Sequence, residues 1–103
     1  MRWRARFVTY GQHFEWDEAK EASNLAKHGV AFAEAVAAFA DPRRVILPDV
    51  GHRQHEPRWY CLGRIGDAIL TVRFAKRGSR VRIIGAGYWR KGKRLYETQN
   101  QLQ

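Results

Sequence analysis

The stretch that decides the fold is residues 68–87, which read AILTVRFAKRGSRVRIIGAG. Apolar and polar residues alternate on both sides of a polar turn at residues 76–79, a pattern typical of a β-hairpin. Side chains two residues apart lie on the same face of a strand. One face is therefore predicted to be apolar, with Ala68, Leu70, Val72 and Phe74 on the first strand and Val81 and Ile83 on the second.

The opposite face of this hairpin carries arginines. If Ala75 pairs with Arg80 across a four-residue turn, Arg73 lies directly opposite Arg82. Like charges that face each other across strands cost about 0.2–1 kcal/mol, so stability alone does not favour this arrangement. It is typical of a face that binds an anion, although arginine stems also cover the solvated face of ordinary sheets. The pattern leaves both interpretations open.

Positive charge is concentrated in one segment. Residues 68–96 hold nine of the chain's 19 lysines and arginines and none of its 10 aspartates and glutamates. The rest of the chain is balanced, so the net charge of +9 derives from this segment alone. Fixed positive charge predicts an anionic partner, with nucleic acid as the first candidate and an acidic protein as the second. Anionic lipid is disfavoured because no segment pairs a large apolar helix face with a basic one.

Size and composition indicate one small cytoplasmic domain. The chain has 103 residues, 45% of them hydrophobic, which suffices for one core and is too apolar for disorder. The single cysteine, Cys61, forms no internal disulfide, which is typical of a reducing compartment. No apolar run is long enough for a bilayer span or a secretory leader, so no membrane contact is expected. Because His13 and residues 52–56 lack the spacing of a tetrahedral site, no metal or other cofactor is expected.

Local signals outline the other elements. An N-cap aspartate and a following glycine predict a helix over about residues 17–28, and a second helix is expected over 32–40. Strands are predicted at residues 14–16, 44–47, 58–63, 68–75 and 80–86, and a helix from about residue 89 to the end.

These elements predict an α+β fold in the order βααββββα, with helices packed on an antiparallel sheet of about four to five strands. The whole chain, 1–103, is expected to form a single domain. Within it, residues 1–13 are an N-terminal arm or an extra edge strand, and residues 98–103 are a C-terminal tail.

Aromatic and basic residues alternate near the end of the chain. Tyr88, Trp89 and Tyr96 are interleaved with Arg90, Lys91, Lys93 and Arg94. Such aromatics stack on nucleic-acid bases while the cations hold the backbone. The same residues also suit packing of a terminal helix on the sheet, so stacking and core packing are both retained as interpretations.

Several motifs together resemble a known family. The opening motifs are Phe14-Glu15-Trp16-Asp17-Glu18-Ala19-Lys20, Asn24, Lys27-His28-Gly29-Val30 and Phe32; the later ones are Asp41-Pro42, Gly63-Arg64, Arg77-Gly78, Arg80-Val81-Arg82-Ile83-Ile84 and Tyr96-Glu97. In this order they resemble the BrnT toxins, over roughly residues 14–97. Residues 85–93 depart from the family pattern, because an arginine after the last strand and a glutamate in the final helix are absent.

The resemblance implies a RelE/ParE-like domain that cleaves RNA without a metal and is neutralised by a ribbon-helix-helix antitoxin, BrnA. It implies the toxin of a type II toxin–antitoxin system, in which the 2′-oxygen of RNA attacks the adjacent phosphate. A homodimer or a toxin–antitoxin heterotetramer is the expected assembly. The alternative functions are a basic module that binds nucleic acid without cutting it, and a non-catalytic subunit that binds only an antitoxin.

This chemistry needs a proton acceptor, a proton donor and cations that stabilise the charge on phosphorus. The candidate catalytic residues are His28, Arg64, Arg73, Arg82 and Tyr96, and the candidate RNA-binding residues are Lys27, Lys76, Arg77, Arg80, Trp89, Arg90 and Lys93. His28 suits proton transfer by its ordinary pKa, but a histidine in the last turn of a helix also complements the helix dipole. Tyr96 is a candidate proton donor or a stacking partner for a base.

Overall fold

The computed structural model describes residues 6–51 and 56–101. In chain order the elements are β1 (Phe7–Tyr10), β2 (Phe14–Asp17), α1 (Glu18–His28), α2 (Phe32–Val36), a 3₁₀ helix (Ala37–Ala40), β3 (Val45–Pro48), β4 (Trp59–Ile65), β5 (Ala68–Arg77), β6 (Arg80–Gly87) and α3 (Arg90–Gln99). The predicted α+β class is confirmed. Residues 1–5 of the N-terminal segment, His52 and His55, and the last two residues lie outside the described part.

The sheet is larger than predicted and is mixed rather than antiparallel. Six strands lie in the order β1-β2-β6-β5-β4-β3. β1 is the additional strand and pairs antiparallel with β2, while β2 runs parallel to β6, with Phe14 beside Val81 and Trp16 beside Ile83. Strands joined by a short turn must run antiparallel, but β2 and β6 are separated by two helices and three strands. No local signal sets their relative direction, which is why the sequence did not reveal it.

The register of the β5–β6 hairpin differs from the prediction. Arg77 pairs with Arg80, so the turn has two residues, and Gly78 at its first position has a φ of 58°. A two-residue hairpin turn requires a positive φ there, which glycine adopts without strain. The predicted turn residues 76 and 77 instead extend β5.

The predicted facing pair of Arg73 and Arg82 is therefore wrong. Arg73 pairs with Gly85 and Arg82 pairs with Ala75. Between these two pairs β6 has one residue more than β5, since Phe74 pairs with Ile83. A bulge of this kind changes the register without changing which face each arginine occupies.

The helices lie on both faces of the sheet. α1, α2 and the 3₁₀ helix cover one face, and the core there contains Trp16, Val30, Phe32, Ala35, Ala38, Cys61, Leu70, Val72, Phe74, Ile83 and Ala86. α3 packs on the other face against β4 and β5, over Leu62 and Ile69, with Tyr96 fully buried beneath it. A Cβ atom at Gly92 would lie only 2.0 Å from the hydroxyl oxygen of Thr71. Gly92 therefore does not interrupt α3 but lets the helix approach the sheet closely.

Helix ends follow the predicted signals in part. α1 begins after Asp17, whose carboxylate accepts a hydrogen bond from the backbone N–H of Ala19, and ends before Gly29, as predicted. The expected helix over residues 32–40 is a short α-helix that tightens into a 3₁₀ helix. Ala31 supplies no N-cap, but the Glu21 carboxylate on α1 accepts the N–H of Phe32 at 2.8 Å and caps α2 from a distance. Such a cap between elements leaves no signal in the local sequence.

Candidate functional site

α3 covers only part of its side of the sheet. The register places four arginines of β5 and β6 on this side, beyond the helix; they form what we call the arginine face, Arg73, Arg77, Arg80 and Arg82. Tyr60 on β4 pairs with Arg73, and Leu47 on β3 pairs with Tyr60, so the same surface continues towards β3.

Carboxylates neutralise much of the arginine face. Nε of Arg73 lies 3.1 Å from the carboxylate of Asp49, and Nη1 of Arg77 lies 2.6 Å from that of Glu56. These acids follow β3 and precede β4, so neither belongs to the acid-free segment. The acid-free segment therefore predicted more free positive charge on the strands than the structure shows, because these arginines pair with acids from other parts of the chain.

Glu15 on β2 binds the other two arginines. Its carboxylate lies 2.5 Å from Nη2 of Arg82 and 4.0 Å from Nε of Arg80. Only 12% of the Glu15 side chain is exposed, which strengthens the attraction relative to a pair in water. The Arg82 guanidinium also lies 4.2 Å from the centroid of the Phe7 ring. These contacts tie β6 to β2 and β1, so they give Arg80 and Arg82 a role in holding the parallel joint together.

A groove of about 570 Å³ lies between α3 and the uncovered part of the sheet. Its lining is Asn24, His28, Leu47, Tyr60, Leu62, Thr71, Arg73, Gly85, Trp89, Lys91, Gly92 and Leu95. The groove brings together two of the predicted catalytic residues, His28 and Arg73, and one predicted RNA-binding residue, Trp89. Arg64, Arg82 and Tyr96 do not line it.

His28 and Trp89 are in direct contact. Their ring centroids are 5.1 Å apart and the ring planes are nearly perpendicular, at 82°. His28 is the last residue of α1, and Trp89 precedes the first residue of α3, so the contact joins the two helix ends at the groove. Both residues are exposed, with Trp89 42% accessible.

Asn24 fixes this junction, and sequence reasoning gave it no role. Its side-chain NH₂ donates to the carbonyl oxygens of Val30 and Ala86 at 3.0 and 2.9 Å, and its oxygen accepts the N–H of Ala86 at 3.0 Å. The end of α1 is thereby bound to the end of β6. The available signal was an amide inside a helix, one turn before His28, where a polar side chain favours a buried structural hydrogen bond.

In contrast to the arginine face, α3 carries positive charge that is not paired with carboxylates of the described residues. Four residues in its first half, which we call the α3 cations, are exposed and have no ion pair among the described residues: Arg90, Lys91, Lys93 and Arg94. The first turn of α3 has no acidic residue, and Trp89 provides no side-chain cap. Cations at a helix N-terminus are unfavourable because they add to the positive end of the dipole. This end of the groove therefore combines a helix dipole with uncompensated charge, and Lys91 lines it.

Tyr96 belongs to the buried cluster between α3 and the sheet, and it does not line the groove. It is fully buried, and its hydroxyl donates to the carboxylate of Asp41 at 2.6 Å, while the backbone N–H of Arg64 donates to the same oxygen at 2.8 Å. Burial and the bond to Asp41 raise the pKa of Tyr96. Burial alone would raise the pKa of Asp41, but the hydrogen bonds from Tyr96, Arg64 and Arg43 lower it. The contacts of Tyr96 are those of a core residue, and no part of its surface is accessible to RNA.

Three other residues that were predicted for the site do not line the groove. Nζ of Lys76 lies 5.8 Å from the Trp59 ring, and its pairing with Val81 places it on the face opposite the arginine face. The Arg64 guanidinium is exposed and lies 5.6 Å from the Tyr96 ring. Lys27 is exposed beside His28.

A family model described as the ribonuclease toxin BrnT of type II toxin–antitoxin systems matches residues 16–92. The chain belongs to the BrnT family. The match runs from β2 into α3. It includes four residues that line the groove: His28, Arg73, Trp89 and Lys91. The resemblance drawn from the sequence motifs is confirmed. A comparison with curated protein sequences finds no match.

Membership of the BrnT family indicates the general class of function. Its description as a type II ribonuclease toxin implies RNA as the substrate and an antitoxin as the partner. Within the described residues, none of the helices is both long and apolar enough to cross a membrane. Among the same residues, no cluster of three or more histidine, cysteine, aspartate or glutamate side chains has the arrangement of a metal site.

Proposed function

We propose that this chain is the toxin of a type II toxin–antitoxin pair and that it cleaves RNA in the groove between α3 and the sheet. The observation that supports this site is the convergence of His28, Arg73, Trp89 and Lys91 in one groove. The four residues supply a proton-transfer group, two cations and a stacking surface. A proton-transfer group and cations are among the parts that phosphodiester cleavage needs, and the aromatic ring gives a base a surface to stack on.

His28 is the proposed proton-transfer group. An imidazole ring can both accept and donate a proton, so His28 can take the proton of the 2′-hydroxyl as the new O–P bond forms. The leaving 5′-oxygen then takes a proton from that imidazolium or from water as its bond to phosphorus breaks. Arg73 and Lys91 stabilise the negative charge that develops on the phosphate oxygens, and the bond to Asp49 orients Arg73. In this proposal the charge is stabilised by guanidinium and ammonium groups rather than by a metal ion.

Other predicted residues take different places in the proposal. Arg90, Lys93 and Lys27 lie near the ends of α3 and α1 that form the groove, and they contribute positive potential to RNA on either side of it. Arg64, Arg82 and Tyr96 are left out of the catalytic set, because their contacts lie with Tyr96, Glu15 and Asp41 and they do not line the groove.

The partner is proposed to be a ribbon-helix-helix antitoxin whose acidic or amphipathic segment covers the groove. The positive charge of α3 supports an acidic segment there. Other parts of this proposal are a single domain over residues 1–103 with a RelE-like toxin domain at 14–97, residence in the cytoplasm, and a homodimer or a heterotetramer with the antitoxin.

The test is cleavage of a defined RNA by the purified chain in the presence of EDTA. We expect fragments ending in a 2′,3′-cyclic phosphate, and we expect His28→Ala to slow cleavage by about 100-fold, the usual contribution of general acid–base catalysis. His13→Ala is the matched control, since His13 is an exposed histidine in the turn between β1 and β2. An unchanged rate for His28→Ala would mean that this histidine transfers no proton and only complements the dipole at the end of α1.

A second candidate function is RNA binding without cleavage. The ion pairs of Arg73 and Arg82 favour it, because guanidinium groups held by carboxylates are less available to stabilise a transition state. Intact RNA after incubation with the purified wild-type chain, together with retained RNA binding, would support this candidate over the nuclease.

A further inference from the structure

We propose that the groove is a pocket for one unpaired nucleobase, so that the substrate is single-stranded RNA read with little sequence preference. This inference rests on the proposed function and deepens it by naming the substrate class. The observations behind it are the lining of the groove, the setting of Trp89, the few hydrogen-bonding groups that the groove offers, and the distribution of unpaired cations.

The lining is suited to the face of a base. Leu47, Leu62 and Leu95 form apolar surface, and Tyr60 and Trp89 add aromatic rings. Apolar and aromatic surfaces bind the faces of bases that have left a stack. A peptide side chain would also fit, but the cations at the same groove favour a ligand that carries a phosphate on each side of its apolar part.

Trp89 is held in place for stacking before any ligand binds. A Cβ atom at Gly87 would lie 2.4 Å from the Trp89 ring, so the ring rests directly on the backbone of β6. The indole and the His28 ring meet edge to face. With 42% of the residue still exposed, the ring offers surface to a base at little cost in side-chain entropy. The base would then lie beside the proposed proton-transfer group.

The groove offers few groups that distinguish one base from another. The amide of Asn24 already makes three hydrogen bonds to the backbone. Arg73 is bound to Asp49 through Nε and is assigned to the phosphate, and the Thr71 hydroxyl is buried against Gly92. Sequence is read through hydrogen bonds to base edges, whereas stacking accepts every base. Weak sequence preference follows.

A duplex does not suit this surface. Paired bases are stacked inside the helix and cannot enter a pocket without unpairing. A duplex would instead need a long track of unpaired cations, and the carboxylates of Asp49, Glu56 and Glu15 already bind those of the arginine face. The unpaired α3 cations form only a short track beside the groove. The arrangement therefore favours a short single-stranded segment.

The experiment uses 2′-O-methyl RNA, which lacks the attacking hydroxyl and stays intact. One 12-nucleotide strand carries 2-aminopurine, whose fluorescence falls when it stacks, and is measured alone and annealed to its complement. We expect the full-length chain to bind the single strand at least about 10-fold more tightly than the duplex, with quenching that reports stacking.

Two groove variants and one control define the pocket. Trp89→Ala should lose the quenching and about 10-fold in affinity, while Trp89→Phe keeps most of both because a ring remains. Leu47→Trp fills the groove from the edge strand and should have the same effect as Trp89→Ala without touching Trp89. Tyr88→Ala is the matched control, since Tyr88 is 43% exposed and does not line the groove. Thermal unfolding of each variant verifies the fold.

The outcomes separate the pocket from the nuclease. Equal binding of duplex and single strand, or quenching unaffected by Trp89→Ala and Leu47→Trp, overturns the nucleobase pocket even if wild-type RNA is cleaved. Loss of antitoxin binding in both variants with normal RNA binding also overturns it and makes the groove a protein-docking site. Quenching that depends on Trp89 without any cleavage of unmodified RNA supports the pocket and overturns the proposed nuclease.

Discussion

The arginine face and the first half of α3 are both rich in cations, but their electrostatic states differ. On the arginine face, the guanidinium groups are held by carboxylates from β2 and from the connection between β3 and β4. On α3, the cations are exposed and have no ion pair within the described ranges. Charge in a sequence window therefore does not equal charge at a surface. Arg80 and Arg82 tie β6 to β2, and the α3 cations are available to a ligand.

The largest expected effect is charge reversal at the groove. Lys91→Glu should slow RNA cleavage by about 100-fold, because it replaces a stabilising cation with an anion beside the developing charge. Lys20→Glu is the matched control, because Lys20 is an exposed lysine of α1 that does not line this groove and the change in net charge is the same. Equal rates for the two variants would mean that only the overall charge of the chain matters. Cleavage of a fluorescent RNA gives both rates.

The second effect concerns the arginine face. Glu15→Gln leaves Arg80 and Arg82 half-buried without their counter-charge, so the free energy of unfolding should fall by about 1–3 kcal/mol. Cleavage per folded molecule should be unchanged, because the groove does not include Glu15. Urea unfolding measures the first quantity, with Glu18→Gln on the exposed start of α1 as the control. A loss of cleavage by fully folded Glu15→Gln would return Arg82 to the catalytic site.

A smaller effect is expected where α3 meets the sheet. Gly92→Ala gains about 1 kcal/mol in helix propensity, but its Cβ would overlap the Thr71 hydroxyl, and overpacking costs about 1–3 kcal/mol. We expect a net loss of about 1 kcal/mol in thermal unfolding. The double variant Gly92→Ala with Thr71→Ala removes the overlapping atom and should recover that loss. Additive losses in the double variant would contradict the proposed overlap.

The smallest effect is a dependence of stability on pH. Because the pKa of Asp41 is lowered in the folded chain, its contribution is fully present above the ordinary aspartate pKa of about 3.9 and is lost as the pH falls through the lower folded value. Asp41→Asn should therefore be less stable than wild type at pH 7, and the difference should shrink below about pH 4. Urea unfolding at several pH values, with Asp67→Asn in the exposed β4–β5 turn as the control, tests this sign.

Local signals predicted the elements better than they predicted how the elements meet. The Asp17 cap, the α+β class and the family motifs all depend on neighbouring residues, and the structure or the family match confirms them. The direction of β2 against β6, the bulge opposite Phe74 and the cap that Glu21 provides to α2 depend on residues far apart in the chain. No periodicity reports such contacts.

The same limit applies to the site. The chemistry of the side chains alone made three of the groove residues candidates: His28, Arg73 and Trp89. They lie in one groove because of the hydrogen bonds of Asn24 and the packing of α3 on the sheet, and residue spacing in the sequence indicates neither. The charge count over residues 68–96 could not reveal the acids that bind the arginines, because those acids lie outside this segment. Tyr96 was selected for its hydroxyl, and the structure places that hydroxyl in the core.

The groove is lined by residues that lie far apart in the chain. Its lining begins at Asn24 on α1 and ends at Leu95 on α3, and β2 joins the sheet only by pairing with β6. Contacts between such distant positions form late in folding, since the connecting loop must close first. A chain truncated before α3, or one whose α3 has not yet left the ribosome, therefore lacks one wall of the groove. In a growing chain the groove is completed only when α3 docks on a sheet whose other strands are already in place.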